Sequence, residues 1–176
     1  MPRLASLDDL LLHGLQDIYH AEQQVLEAMP RMVRAATNLD LKDELESHRQ
    51  QTERQIRRLE QAFMLLGVAA KRRKSEGMAG ALEEAELTME LDADPSLMDV
   101  ALIGAAQKIE HYEIAAYGCI CTYAEMLGYD QVHELLGQNL DEEETTDQKL
   151  TALAESVIGR EADALAIGDE RLGRRV

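Results

Sequence analysis

The stretch that decides the fold is LDDLLLHGLQDIYHAE at residues 7–22, which recurs in diverged form as MDVALIGAAQKIEHYE at residues 98–113. Six of the sixteen aligned positions are identical at this offset of 91 residues: Asp8/Asp99, Leu11/Leu102, Gln16/Gln107, Ile18/Ile109, His20/His111 and Glu22/Glu113. In both copies the apolar residues recur every three or four positions, which is typical of an amphipathic helix. The repeat predicts a duplicated unit, and we expect each copy to begin one helical hairpin.

Capping residues and glycines divide the chain into four long helices, named A to D in chain order, and one short helix. Ser6 followed by Asp9 has the spacing of a capping box, and Asn38 and Asp94-Pro95 are further start signals. Pro30 lies inside helix A and is expected to kink it without ending it. The expected ranges are 7–36 (A), 39–66 (B), 76–91 (short helix), 96–127 (C) and 130–159 (D, or somewhat further).

The loop lengths predict how these helices are connected. Helices A and B, and helices C and D, are separated by only a few residues, so each pair must form an antiparallel hairpin. The connection from B to C is about 30 residues long and can cross the whole bundle. Two hairpins joined by one long crossover indicate an all-α, ferritin-like four-helix bundle at residues 1–167, with a flexible tail at 168–176.

Composition excludes several classes of protein. The chain is 45% hydrophobic but only 3% aromatic, so aliphatic residues must build the core, which favours packed helices. A net charge of −16 argues against binding to nucleic acid. Charges interrupt every apolar run, so no membrane span is expected. Cys119 and Cys121 point away from each other on a helix, and with no signal peptide we expect reduced thiols and a cytoplasmic protein.

In each long helix polar residues interrupt the apolar stripe at the same depth. Glu22 is the only charged member of the stripe in helix A and Glu113 in helix C, with Glu110 one turn earlier. In helix D, Glu143 and Asp147 occupy successive core positions. Counting residues from the hairpin turns predicts that all five acids share one layer across the bundle. If the stripes are shifted by one residue, the acids face solvent instead.

Helix B contributes neutral polar side chains to the same layer. His48 and Gln55 belong to its stripe, and Gln51 flanks the same turn, so His48 is a candidate ligand at the edge of the layer. Converging buried carboxylates cannot all be protonated cheaply, and a metal ion supplies the missing positive charge. Oxygen ligands favour iron or manganese over zinc, so the predicted cofactor is iron or manganese, as one ion or none if the site is vestigial.

Three stretches carry a resemblance to a known family: DIYHAEQQ at 17–24, AAQKIEHYEIAAYG at 105–118 and EEETTDQKLT at 142–151. Together they resemble the ferritin-like YciE/YciF family of bacterial stress-associated proteins over about residues 7–157. That family is similar to rubrerythrins and ferritins, which hold two irons between carboxylates and histidines of four helices. The resemblance implies that Glu22, Glu110, Glu113 and Glu143 are metal ligands, with Asp147 where many relatives place histidine.

Helix B departs from the pattern that the resemblance implies. Gln51 stands where the family pattern expects a glutamate, and Gln55 occupies the ligand position one turn later. A neutral amide binds metal weakly and cannot bridge two irons as a carboxylate does. Three functions therefore stay open: a metal-dependent redox or peroxide-handling protein, a metal-sequestering protein, and a non-catalytic oligomeric stress protein with a degenerate site.

Helices A and C also carry apolar residues outside their main stripes. These additional apolar residues are Leu12, Ile114 and Tyr117. His20 and His111 are expected beside them, at the surface or at an interface. A lone bundle cannot fully bury more than one apolar stripe on a helix, so we expect self-association, as a homodimer.

Overall fold

The computed structural model describes the backbone of residues 4–173 and the side chains of residues 4–159, and over this range it contains five α-helices and no strand. The helices are α1 (Leu7–Ala35), α2 (Leu39–Leu65), α3 (Glu76–Met89), α4 (Pro95–Met126) and α5 (Asp130–Gly173). The predicted all-helical class is confirmed. The main difference is that helix D continues beyond 159 to Gly173. The flexible tail at 168–176 stays a prediction, and its last three residues lie outside the described range.

The four long helices pack around one core. α1 contacts α2 and α4, and α5 contacts α2 and α4. The connection from α2 to α4 carries α3, which packs against α1 and α4. The predicted stripe of α1 is fully buried: Leu11, Leu15, Ile18, Glu22, Val25, Met29 and Met32. None of the described helices combines the length and apolar character needed to cross a bilayer.

Local sequence signals set the helix ends. Ser6 accepts a hydrogen bond from the backbone N–H of Asp9, whose carboxylate accepts from the N–H of Ser6, which is the predicted capping box. Gly67 and Gly128 follow α2 and α4 with φ of 70° and 72°, a left-handed conformation that favours glycine. In each case the N–H of the glycine and that of the next residue donate hydrogen bonds to carbonyls of the last turn, so these glycines end both helices in Schellman motifs. The start of α1 and the ends of α2 and α4 are therefore encoded locally.

An aspartate in each copy of the repeat accepts hydrogen bonds from the turn of the other hairpin. Asp99 on α4 is buried and accepts hydrogen bonds from the Thr37 N–H (2.7 Å), the Thr37 hydroxyl (2.6 Å) and the Asn38 N–H (2.9 Å). Its repeat counterpart Asp8 on α1 accepts a hydrogen bond from Tyr129 in the α4–α5 turn (2.7 Å). This reciprocal arrangement is what two related hairpins produce when they pack face to face.

Replacing Asp99 should destabilise the fold strongly. Asp99→Ala leaves two backbone N–H groups and a hydroxyl of the α1–α2 turn without their buried acceptor, so we expect a loss of about 3 kcal/mol in the free energy of unfolding. Urea denaturation measures this directly. Asp94→Ala is the matched control on the same helix, because Asp94 is exposed and makes no side-chain capping bond. Equal stabilities of the two variants would contradict the assigned role of Asp99.

Candidate metal centre

Three of the long helices bring four buried ligand-type residues together at mid-core. They are His48 on α2, Glu110 and Glu113 on α4, and Glu143 on α5. None is more than 1% exposed, and one donor atom from each lies within 4.8 Å of the others. Three carboxylates and one imidazole at this spacing form a group that could hold a metal ion.

Glu22 on α1 adjoins this group. It is fully buried. Besides burial, the nearby carboxylate of Glu143 raises the pKa of Glu22, and Glu22 in turn raises the pKa of Glu113. The hydroxyl of Tyr117 donates a hydrogen bond to Oε1 of Glu22. The predicted layer of buried acids is therefore present for Glu22, Glu110, Glu113 and Glu143, and these side chains do not face solvent.

Most donor atoms of the group have no hydrogen-bond partner among the described residues. Both oxygens of Glu110 and of Glu113, one oxygen each of Glu22 and Glu143, and both ring nitrogens of His48 are buried and unpartnered. His48 Nε2 lies 3.3 Å from Glu110 and Nδ1 lies 3.8 Å from Glu143, without hydrogen-bond geometry. Buried polar atoms are normally satisfied, so this concentration is unusual. The residues fit a cation, because it would satisfy the carboxylate oxygens and one nitrogen of the neutral imidazole together.

Burial dominates the protonation of the site. It raises the pKa of Glu22, Glu110 and Glu113 well above the ordinary value of 4.5, and neighbouring carboxylates raise it further. Burial also raises the pKa of Glu143 to about 7 and lowers that of His48 to about 4. His48 is therefore neutral near pH 7 and able to donate a lone pair. The acids hold protons in the absence of a cation, and a cation must displace these protons to bind.

The two glutamines of α2 differ in position. Gln55 is fully buried, and its amide donates a hydrogen bond to Oε1 of Glu143. Gln51 is only half-buried, and its side-chain oxygen faces the hydroxyl of Thr146 at 3.5 Å. Gln55 therefore completes the α2 wall of the centre, whereas Gln51 lies at its edge. That either amide ligates a metal stays a prediction.

Asp147 lies outside the group of four. Its side chain is 20% exposed, accepts a hydrogen bond from Gln107 at 3.1 Å and lies 3.5 Å from His111. The inward position of α5 at this level belongs to Thr146, which is buried. A helix turns by about 100° per residue, so the positions three and four residues after Glu143 lie on either side of it, and here the three-residue step is the buried one. A direct ligand role for Asp147 stays a prediction.

Two residues beside the centre were not predicted from the sequence as part of it. Tyr117, interpreted as part of an apolar stripe that the bundle could not bury, is fully buried and bonded to Glu22, which corrects that interpretation. Asn139 on α5 is also fully buried and donates a hydrogen bond to the Tyr117 hydroxyl at 2.8 Å. His20 is likewise not free at the surface, because it accepts a hydrogen bond from the Ser75 N–H at 3.1 Å. The homodimer stays a prediction, now without Tyr117 to support it.

Relatives of known structure are similar to this chain over most of its length. Protein YciF of Escherichia coli (strain K12) is 39% identical over 161 residues, which covers 91% of this chain and 97% of that protein. The crystal structure of the E. coli stress protein YciF matches with a TM-score of 0.86, over 89% of this chain and 99% of that one. The structure of YcfI from Rhodopseudomonas palustris, a proposed structural protein, matches with a TM-score of 0.81 at 44% identity, over 84% of this chain and 94% of that one.

A family model agrees with these similarities and covers nearly the whole described chain. The matching family is described as a domain of unknown function, DUF892, and the match extends over residues 6–163. The relatives include YciF itself, so the resemblance carried by the three sequence stretches is confirmed. This chain belongs to the DUF892 family, the family of the stress protein YciF.

Proposed function

We propose that this protein binds iron or manganese in the buried centre formed by His48, Glu110, Glu113 and Glu143, with Glu22 as a further ligand. The observation that carries the proposal is the set of unpartnered carboxylate oxygens and imidazole nitrogens that converge in the buried core. An uncompensated buried polar group costs several kcal/mol, and a cation removes that cost for all of them together. The proposal includes a ferritin-like arrangement of the four long helices.

The donor atoms favour iron or manganese. The free atoms are mostly carboxylate oxygens, with one imidazole, and no cysteine belongs to the group. Carboxylate oxygens suit manganese and iron, whereas sites built for zinc use more nitrogen and sulfur. When bound, such an ion would supply redox chemistry with dioxygen or peroxide. His48 would offer a neutral nitrogen, the glutamates would release their protons, and the surrounding apolar core would exclude bulk water.

A stress-associated role is consistent with this chemistry. The E. coli relative is described as a stress protein, and control of reactive iron or peroxide is a function that a buried carboxylate centre can serve. We therefore propose a metal-binding stress protein, active in redox or peroxide handling.

The alternative is a non-catalytic protein that has kept a degenerate site. It is supported by α2, where Gln51 and Gln55 supply no negative charge and Gln55 occupies one oxygen of Glu143. The description of the R. palustris relative as a proposed structural protein is in line with this alternative. The two functions differ in one measurable property, because only the first requires tight metal binding.

Glu143→Ala should abolish metal binding. Purified protein, stripped with chelator and titrated with Mn²⁺ or anaerobic Fe²⁺, should take up metal in the wild type and fail to do so in the variant, because Glu143 joins α5 to the ligand group. Glu144→Ala is the matched control, since Glu144 is the next residue and is exposed. Equal uptake by all three proteins would contradict the proposed site. No uptake by the wild type would leave the degenerate-site alternative.

A further inference from the structure

A continuous chain of hydrogen bonds leads from a surface ion pair to Glu22. Arg58 on α2 pairs with Glu142 on α5 through contacts of 2.7 and 2.9 Å, and both side chains are partly exposed. Arg58 also donates to Oδ1 of Asn139 at 2.7 Å, and Asn139 donates through Nδ2 to the Tyr117 hydroxyl at 2.8 Å. The Tyr117 hydroxyl in turn donates to Glu22. The chain thus connects the surface with a ligand of the centre.

The direction of every bond in this chain is set by chemistry. A guanidinium group can only donate hydrogen bonds, so the atom of Asn139 that faces Arg58 must be its oxygen. The amide nitrogen of Asn139 then points at Tyr117 and must donate to it. The single proton of the Tyr117 hydroxyl is consequently available only for Glu22.

This chain leaves Glu22 with one free oxygen. Oε1 of Glu22 accepts from Tyr117, and Oε2 has no partner. Gln55 has the same effect on Glu143, whose Oε1 is bonded and whose Oε2 is free. The two acids of α4, Glu110 and Glu113, keep both oxygens free. The acids therefore differ in how many oxygens they present to the centre.

We propose that Tyr117 and Asn139 are positioning residues of the metal centre, which hold one oxygen of Glu22 and leave the other for the cation. This inference rests on the proposed metal-binding function. Residues that hydrogen-bond to metal ligands fix the orientation of those ligands, and their loss typically lowers metal affinity by about 10- to 100-fold. Arg58, held by Glu142, anchors Asn139 from the surface.

The test compares two tyrosine-to-phenylalanine variants on the same helix. Tyr117→Phe removes only the hydroxyl that holds Glu22, and we expect about tenfold weaker Mn²⁺ binding and an altered EPR spectrum of the bound ion. Tyr112→Phe is the matched control, because its hydroxyl donates to Asp17 at 2.6 Å, away from the centre. It should bind Mn²⁺ with wild-type affinity and spectrum.

A second variant tests the direction of the chain without changing side-chain volume. Asn139→Asp cannot donate to Tyr117, so the tyrosine proton is drawn away from Glu22 and Mn²⁺ binding should weaken in the same sense as in Tyr117→Phe. Wild-type affinity and spectrum in both Tyr117→Phe and Asn139→Asp, with binding lost in Glu143→Ala, would overturn the positioning role and leave the metal site intact. An equal loss in Tyr112→Phe would also overturn it. No Mn²⁺ binding by the wild type would reject the metal site and the positioning role together.

Discussion

The metal-free protein should lose stability as the pH rises from about 5 to about 8. Burial raises the pKa of Glu143 from 4.5 to about 7 and that of Glu22, Glu110 and Glu113 well above 4.5, so these four groups hold more protons in the folded chain than in the unfolded chain in this range. The lowered pKa of His48 acts in the opposite direction below about pH 6.5, but it is one group against four. Such groups stabilise the fold fully below the unfolded pKa, and the stabilisation disappears as the pH passes the folded pKa. For Glu143 alone the loss is about 3 kcal/mol.

Metal should reverse this pH dependence. A cation binds the deprotonated acids, so its affinity rises with pH. A free metal concentration of about 1,000 times the dissociation constant adds about 4 kcal/mol to the free energy of unfolding. In a chain of this length that corresponds to a rise in Tm of about 10 °C. Thermal unfolding at several pH values, with chelator or with Mn²⁺, measures both trends. Glu143→Gln is the control, since its metal-free curve should be flatter. Metal-free stability that increases from pH 5.5 to 8 would contradict the assigned protonation.

Replacing Glu113 with an apolar residue should stabilise the metal-free protein while abolishing metal binding. Glu113 is fully buried, both of its oxygens are unpartnered, and methionine has a similar shape without the cost of desolvation. We expect Glu113→Met to gain about 2 kcal/mol in the free energy of unfolding at pH 8 with chelator present. With saturating Mn²⁺ the order should invert, because only the wild type gains from binding. An acid kept at a cost in stability is typical of a functional site.

An exposed acid on the same helix provides the comparison for Glu113→Met. Glu125 is exposed on α4, so Glu125→Met should change stability by no more than about 0.5 kcal/mol and leave metal binding unchanged. Chemical denaturation of the three proteins, each with chelator and with Mn²⁺, gives the result. If Glu113→Met proves clearly less stable than the wild type in chelator at pH 8, Glu113 stabilises the fold rather than serving a metal.

The helices could be predicted from the sequence because their limits are local. Ser6 with Asp9 forms its capping bonds within one turn, and Gly67 and Gly128 adopt the left-handed conformation that ends a helix. Glu22 and Glu113 could be placed in the core because each is the only acid in an otherwise apolar stripe. These signals require no knowledge of which helices are neighbours.

The details of the site were harder to predict because an apolar stripe can step by three or by four residues. On α4 the residue three positions after Glu113 is Ala116, which is only partly buried, whereas the inward position four residues on belongs to the buried Tyr117. On α5 the buried residue one turn before Glu143 is the polar Asn139, not the apolar Leu140 beside it. Hydrophobicity favours the wrong neighbour in both cases, because the inward residue is polar. Only the position of Glu22 and Arg58 across the core explains why a polar residue is needed there.

Contacts between distant parts of the chain carried no sequence signal of their own. The hydrogen bonds between Asp99 and the α1–α2 turn join residues about 60 positions apart. The identity of Asp8 and Asp99 in the repeat does not by itself indicate which residues they contact. Asp147 was assigned to the layer by its spacing, yet Gln107 and His111 hold it at the edge. Such positions depend on how neighbouring helices rotate about their axes, which a single sequence does not specify.

The most direct test of the metal centre is anomalous diffraction from crystals of the protein loaded with Mn²⁺ or Fe²⁺. Data collected above and below the absorption edge of the metal reveal where the ion lies, independently of any activity. We expect an anomalous peak enclosed by His48, Glu110, Glu113 and Glu143. Loaded crystals with no peak at that position, or with peaks only at surface carboxylates such as Glu83, would contradict the proposed centre.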